Sequence, residues 1–260
     1  CDRAAFPLRR STTNQSMTEQ ASAFHADPPL FASSPYKALV IGARGAIGTA
    51  FVQAFRADPN CLHLETISRS DGQGFDFKDQ ASIRVQADIV SACGPFEIII
   101  DATGALVIHG VGPEKSLQSL EADALMQAFL INAVGPALVL RYFAPLLAKG
   151  ASVYGKLSAR VGSLSDNKKG GWYGYRSAKA ALNMLLQNAA LELQRKSPGL
   201  RVVALQPGTV RSALSAPFTS ASTALLEPKD SVAGMLQALR TLQARPGAHF
   251  VDYQGLEIPW

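Results

Sequence analysis

The sequence predicts a single α/β domain: one open, doubly wound parallel sheet with helices on both faces. Short apolar runs alternate with longer stretches of helical spacing, which implies parallel βαβ units joined by right-handed crossovers. The first apolar run ends in a glycine-rich turn that opens a helical pattern. The chain has 260 residues, 47% of them hydrophobic, enough to bury a sizeable core, and it shows neither an internal repeat nor a second domain.

Lys37 to Ile41 is a short buried-strand run stopped at Gly42, and Ala46 to Arg56 puts Ile47, Phe51, Val52 and Phe55 on one helical face. Leu62 to Ile67 is a second strand, Ala81 to Ala92 a helix, and Glu97 to Ile100 a strand stopped by Asp101. Ser119 to Leu147 is one or two long apolar helices, and Ala151 to Leu157 another strand. Tyr175 to Arg195 is a long helix that stops before Pro198 and Gly199. Leu200 to Leu205 is a strand closed by Pro207 and Gly208. From Arg211 to Ser231 periodicity is weak and small residues abound, the pattern of a surface loop with a short helix or of a mobile lid over a substrate.

The formal net charge is +5, with no basic run and no aromatic-interleaved basic patch. This reads as ordinary surface charge, with an anionic ligand such as a phosphorylated cofactor as the alternative; neither a nucleic acid nor a membrane is an expected partner. Cys1, Cys61 and Cys93 have no paired spacing, so neither a zinc site nor a disulfide framework is indicated, and free thiols suit a cytoplasmic location. His25, His63, His109 and His249 are scattered, and no metal site is expected. The longest apolar stretch, Ala124 to Leu140, contains Gln127, Asn132, Gly135 and Pro136 and runs into Arg141, as a buried helix does. Residues 1–34 are rich in Ser, Thr, Ala, Pro and Arg without periodicity and read as a disordered leader before a domain over 35–260. Met17 is a candidate natural start, Arg3, Arg9 and Arg10 leave a transit peptide open, and no apolar core of a secretory signal is present.

Gly42-Ala43-Arg44-Gly45-Ala46-Ile47-Gly48 joins the first strand to the first helix. Glycines there let the chain turn tightly and let backbone N–H groups approach a pyrophosphate at the positive end of the helix dipole. Gly42, Arg44, Ala46, Ile47 and Gly48 are therefore candidate cofactor residues. An acid closing the second strand would bind the ribose hydroxyls of NAD, but Ser68-Arg69-Ser70 follows instead. Arg69 can make a bidentate, charge-assisted contact with a 2′-phosphate, and Arg44 could reach the same group, so NADP(H) is expected over NAD(H).

Tyr175 and Lys179 lie four apart and share one face of a helix. A phenol near pKa 10 is a poor acid–base catalyst at neutral pH, and a neighbouring ammonium lowers that value. The pair can then donate a proton to a carbonyl oxygen or remove one from an alcohol.

Gly42 to Gly48, Asp76-Phe77, Asn132, Gly171 through Asn183 around Tyr175-Arg176-Ser177-Ala178-Lys179, Pro207-Gly208-Thr209-Val210 and Ile258-Pro259-Trp260 together resemble the short-chain dehydrogenase/reductase family. Within it they are most similar to the C-factor and sniffer-like carbonyl reductases. The resemblance spans Tyr36 to Trp260 and implies a Rossmann-type fold. It implies Tyr175 as general acid/base and Lys179 as the group that lowers its pKa and binds the nicotinamide ribose. Asn132 would hold a proton-relay water, and Asp76 and Phe77, after the family's third strand, would contact adenine. Ala102, Thr103 and Gly104 would offer backbone contacts to the cofactor, and Pro207, Gly208 and Val210 would hold the nicotinamide carboxamide. A small carbonyl or alcohol substrate and a homodimer or homotetramer are further expectations, the latter from long apolar helices with more surface than one sheet face covers.

Three departures stand out. Ala46 replaces the family's middle glycine, in a turn also similar to that of dihydropteridine reductases. Asp101-Ala102-Thr103-Gly104 replaces Asn-Asn-Ala-Gly, so the side-chain brace of the sheet is missing. The catalytic serine aligns on Ala159, one residue after Ser158. A one-residue bulge would bring Ser158 into place to polarise a carbonyl; Ser163 is the fallback, and no serine at all is the third option. The expected function is an NADP(H)-dependent carbonyl reductase. A catalytically weak, cofactor-bound regulator of the C-factor type and a pteridine reductase are the alternatives.

Overall fold

The computed structural model describes residues 34–69, 74–212, 218 and 225–260. The expected leader, Ser34 excepted, and most of the 211–231 stretch lie outside them. Six strands, β1 (Tyr36–Ile41), β2 (Cys61–Ile67), β3 (Ile98–Asp101), β4 (Val153–Leu157), β5 (Arg201–Gln206) and β6 (His249–Asp252), form one sheet in the order β2-β1-β3-β4-β5-β6. Every neighbouring pair is parallel. The helices are α1 (Ala46–Ala57), α2 (Gln80–Ser91), α3 (Ala122–Phe129), α4 (Gly135–Phe143), α5 (Tyr173–Leu193) and α6 (Pro228–Thr241).

Strand side chains alternate between faces, so a strand covered on both sides must be apolar throughout. In β1, Leu39 and Ile41 face a core shared with Ile83 and Val90 of α2, Val139 and Phe143 of α4 and Leu182 and Leu186 of α5. Ala38 and Val40 face the opposite core, with Phe51 and Phe55 of α1 and Val232, Met235 and Leu239 of α6. Each fully buried side chain of this kind stabilises the fold by about 1.5–3 kcal/mol relative to exposure.

The structure differs from the expected elements in two places. The apolar stretch from Ser119 to Leu147 is interrupted at Leu130–Val134 by a π turn, in which the Gly135 N–H donates to the Leu130 carbonyl, and it ends in a short 3-10 turn at Ala144–Leu146. The family strand expected before Asp76 falls mostly on residues 70–73, which lie outside the described residues. Finally, α6 and β6 close the sheet beyond the last strand that the sequence reading recognised.

Candidate active site

Chain order reverses direction across the sheet between β1 and β3, and the C-terminal ends of these two strands form the crevice where open α/β sheets bind ligands. Gly42 leaves β1 with φ +83°, and a Cβ there would lie 3.0 Å from the Ala102 carbonyl carbon and 3.1 Å from the Thr103 nitrogen. Gly48 packs directly on the Gly42 carbonyl, where a Cβ would overlap it. Only glycine lets the turn fold this tightly, and the exposed N-terminus of α1 at Gly45 and Ala46 is left facing solvent. A cavity of about 1040 Å³ opens beside it. Its wall carries Gly42, Arg44, Arg69, Asp76, Phe77 and Ala102 through Gly104 from the expected set, together with Lys78 and His109. Ala46, Ile47 and Gly48 lie outside that wall, and so does the turn from Pro207 to Val210, where Gly208 has φ +76° and the Pro207 carbonyl accepts from Ser231 at 2.6 Å.

The brace that seemed missing after β3 is rebuilt with charge. Asp101 and Lys156 are both fully buried, with Lys156 Nζ 3.0 Å from Asp101 Oδ1. Asp101 Oδ1 also accepts from the Thr103 N–H at 2.9 Å and from its hydroxyl, and Tyr154 donates to Oδ2 at 3.4 Å. Lys156 in turn donates to the Thr103 carbonyl at 2.6 Å and Oγ1 at 3.0 Å. The ion pair therefore pins Thr103, a residue of the cavity wall, to the ends of β3 and β4.

Asn132 sits inside the π turn and is fully buried. Its amide accepts from the Ala105 N–H at 3.1 Å and donates to the Ala105 and Ala128 carbonyls at 2.8 and 3.2 Å. A Cβ built on Gly104 would lie 3.1 Å from Asn132 Oδ1 and 3.5 Å from Lys179 Nζ, so these three residues converge. Lys179 is buried one helical turn from Tyr175, with Nζ donating to the Leu157 carbonyl at 3.1 Å and standing 5.6 Å from the Tyr175 ring centre. Burial holds the Lys179 ammonium down to about 7; the nearby Lys156 charge adds to this and Asp101 opposes it. The expectation that Lys179 lowers the Tyr175 pKa is corrected: burial alone pushes the phenol up to about 12.

Tyr175 and Asn132 line a second cavity of about 560 Å³, walled otherwise by Leu106, Ile108, Val111, Glu114, Gln127 and Ala128 among others. Ala105 and His109 belong to both walls, so the two cavities adjoin. His109 (φ +50°) and Gly110 (φ +79°) are the central pair of a tight reversal closed by reciprocal Ile108–Val111 hydrogen bonds at 2.9 Å. Glu114 seats this segment on α5: its carbonyl accepts from Trp172 N–H, and its carboxylate accepts from Gly174 N–H at 2.9 Å. Neither His109 nor Glu114 carries a motif. Only the Gly that follows His109 hints at the turn.

The serine expectation is corrected. β4 pairs with β5 in unbroken register from Val153 to Leu157, and the Ser158 N–H extends the ladder to the Leu205 carbonyl at 2.8 Å. The bulge needed to aim Ser158 at the cavities is therefore absent. Its buried hydroxyl donates to Asn183 Oδ1 at 2.6 Å. Ser163, also buried, accepts from the Asp166 N–H at 3.0 Å. Strand alternation points the residue at 158 into the core and gives Ala159 the half-exposed position.

A family model described as short chain dehydrogenase matches residues 62–223. The C-signal of Myxococcus xanthus is 34% identical over 168 residues, covering 64% of this chain and 94% of the relative. A 1-hydroxy-2-glutathionyl-2-methyl-3-butene dehydrogenase of a Rhodococcus species is 31% identical over 188 residues, covering 72% and 79%. Among solved structures, the carbonyl reductase Sniffer of D. melanogaster superposes with TM-score 0.74 at 20% identity, covering 87% of this chain and all (100%) of that one. The NADPH-bound carbonyl reductase from chicken fatty liver gives TM-score 0.73 at 23% identity, covering 87% and 95%. These two likenesses concern the fold. The family match takes in β2 through α5 with its Tyr175–Lys179 face, and on that ground the chain belongs to the short-chain dehydrogenase family and is a short-chain oxidoreductase.

Proposed function

We propose that the chain is a carbonyl reductase: it uses NADP(H) to reduce a carbonyl on a small, largely apolar molecule. The observation that carries this reading is the place of Tyr175, on the wall of a mixed, mostly aliphatic cavity that adjoins a larger cavity bearing two arginines. The residues present fit a dinucleotide. The Gly42–Gly48 turn suits a pyrophosphate, Arg44 and Arg69 a 2′-phosphate, Asp76 and Phe77 an adenine, and Pro207 through Val210 a carboxamide. The nicotinamide, when bound, supplies the hydride.

The chain's own work is proton supply. A phenol pushed up to about 12 stays protonated at neutral pH, which suits donation to a carbonyl oxygen better than abstraction from an alcohol. Lys179, held near 7, gains or loses a proton in the working range and can restore the Tyr175 proton after each turnover. Asn132 fixes the Gly104–Ala105 segment beside them. With both candidate serines facing inward, polarisation of the carbonyl falls to the Tyr175 hydroxyl.

The second reading is a cofactor-bound signalling protein of low turnover. It is favoured by the C-signal relative and by the inward serines. Single-turnover reduction of a carbonyl panel at saturating NADPH separates the two. Under the first reading Tyr175→Phe loses about 10²–10⁴-fold in rate while cofactor affinity holds. Undiminished rates in that variant would refute Tyr175 as the acid, and a wild type that binds NADPH but turns over nothing would favour the second reading. We further propose self-association: Met126 of α3, Val134, and Met184 and Leu191 of α5 leave apolar side chains exposed on packed helices, which suits a homodimer or homotetramer.

A further inference from the structure

We propose that His63, Glu65 and Cys93 form a binding site for a divalent, borderline-soft cation of the Zn²⁺ type, outside both cavities. Strand alternation puts His63 and Glu65 on the same face of β2, the outermost strand of the sheet among the described residues. Cys93 arrives from the turn between α2 and β3, 28 residues further along from Glu65. The imidazole Nε2 and a Glu65 oxygen are 2.8 Å apart, and the nitrogen, oxygen and sulfur donors all lie within 4.8 Å of one another. Each residue is half-buried and open to an incoming ion, His63 and Glu65 on a strand and Cys93 in a tight turn at the end of α2.

The frame around them is rigid. Lys37 pairs with His63 across β1 and β2, and its Nζ clamps the Cys93 turn through the carbonyls of Cys93 at 2.9 Å and Gly94 at 3.2 Å. The Cys93 N–H closes on the Val90 carbonyl at 3.0 Å. Metal–ligand bonds of about 2.0–2.3 Å place tetrahedral donors roughly 3.3–3.8 Å apart, so shifts of roughly an ångström convert the cluster into three corners of a tetrahedron, with water at the fourth. Charge balances as well: a thiolate and a carboxylate neutralise the dication, and the imidazole binds neutral. On binding, the Cys93 S–H bond breaks, its proton leaves to solvent, a sulfur–metal bond forms, and no electrons move.

The test is titration of the full chain with Co²⁺ and competition by Zn²⁺, in a Cys1→Ser, Cys61→Ser background so that Cys93 is the single thiol. The expected result is one equivalent bound, with thiolate-to-cobalt and tetrahedral absorption bands, release of about one proton, and displacement by Zn²⁺. Cys93→Ser should abolish the charge-transfer band. His63→Gln, which keeps the thiol and the strand, should weaken binding at least about tenfold. Absence of the bands, or binding unchanged in both variants, would overturn the site and leave the three side chains as a hydrogen-bonded cluster on the strand surface. Circular dichroism of each variant separates loss of the site from loss of the fold.

Discussion

Replacing Lys156 by methionine removes one half of the Asp101–Lys156 pair while nearly preserving side-chain volume. At 3.0 Å, with an effective dielectric constant of about 20, the attraction is roughly 5.5 kcal/mol. Its loss strands a carboxylate in the core with the Thr103 N–H, the Thr103 hydroxyl and a long bond from Tyr154 as its remaining donors. Breaking a buried pair in this way costs about 3–5 kcal/mol. Urea unfolding followed by tryptophan fluorescence should therefore show a midpoint lowered by about 1–2 M, taking a slope near the upper end of the small-protein range. Asp101→Asn/Lys156→Met leaves no lone charge and keeps an acceptor for Thr103, so it should recover a large part of the loss, with a coupling of about 1–3 kcal/mol between the sites. Lys156→Met should also raise the Lys179 pKa, because Lys156 is one of the charges that hold it down. The reasoning fails if the two single losses simply add in the double variant, or if Lys156→Met costs less than about 1 kcal/mol.

Three further outcomes follow from the site and core. Ser158→Ala should cost about 1–3 kcal/mol of stability by orphaning Asn183 Oδ1, yet change the single-turnover rate by less than about twofold; a rate loss without destabilisation would restore Ser158 as a carbonyl-polarising group. Arg69→Ala should weaken NADPH binding by about 1–3 kcal/mol and leave NADH nearly unchanged, as read by fluorescence titration. His249 is buried, and burial first, then the Arg245 charge, bring its pKa down from 6.5 to about 4. Because the unfolded chain binds the proton more readily, this neutral histidine destabilises the fold as pH falls from 6.5 to 4, by up to about 3 kcal/mol. His249→Phe should flatten that part of the stability–pH curve, and an unchanged slope would show that other groups set it.

Features that are local in the chain were legible in the sequence. The glycine turn combines a strand, a close approach and a helix start within a few residues, and the Tyr175–Lys179 face needs only the helical period. The β4 segment is different. Val153 to Leu157 reads as a strand, and a lysine within it looks solvent-exposed until Asp101, 55 residues away, is brought beside it by parallel pairing. Register is likewise invisible at a resolution of one residue: the difference between Ser158 and Ala159 at the cavity is decided by the β4–β5 ladder. The α6 stripe of Val232, Met235, Leu236 and Leu239 does carry the helical period, but it follows a stretch of small residues that masks its start. β6 has only two apolar residues, Phe250 and Val251, between a histidine and an aspartate, and so does not stand out from a loop as the triple isoleucine of β3 does. His63 looked isolated because its partner thiol comes from another layer of the fold.

The π turn at Leu130–Val134 gives the middle of an apolar helix an intolerance of length change more familiar in gears than in coils. A regular helix advances about 100° per residue. Removing one residue from this turn would leave composition, charge and helical propensity almost untouched. It would still swing everything on one side of the turn by about that angle relative to the other. Asn132 would leave Ala105, or the Val139 and Phe143 face of α4 would leave the sheet, since both halves cannot keep their bearings at once. Loops ordinarily absorb insertions and deletions, and helix interiors absorb substitutions. Here substitution of the one exposed side chain of the turn, Val134, costs the fold little, while the residue count between α3 and α4 is fixed by what must point inward at each end.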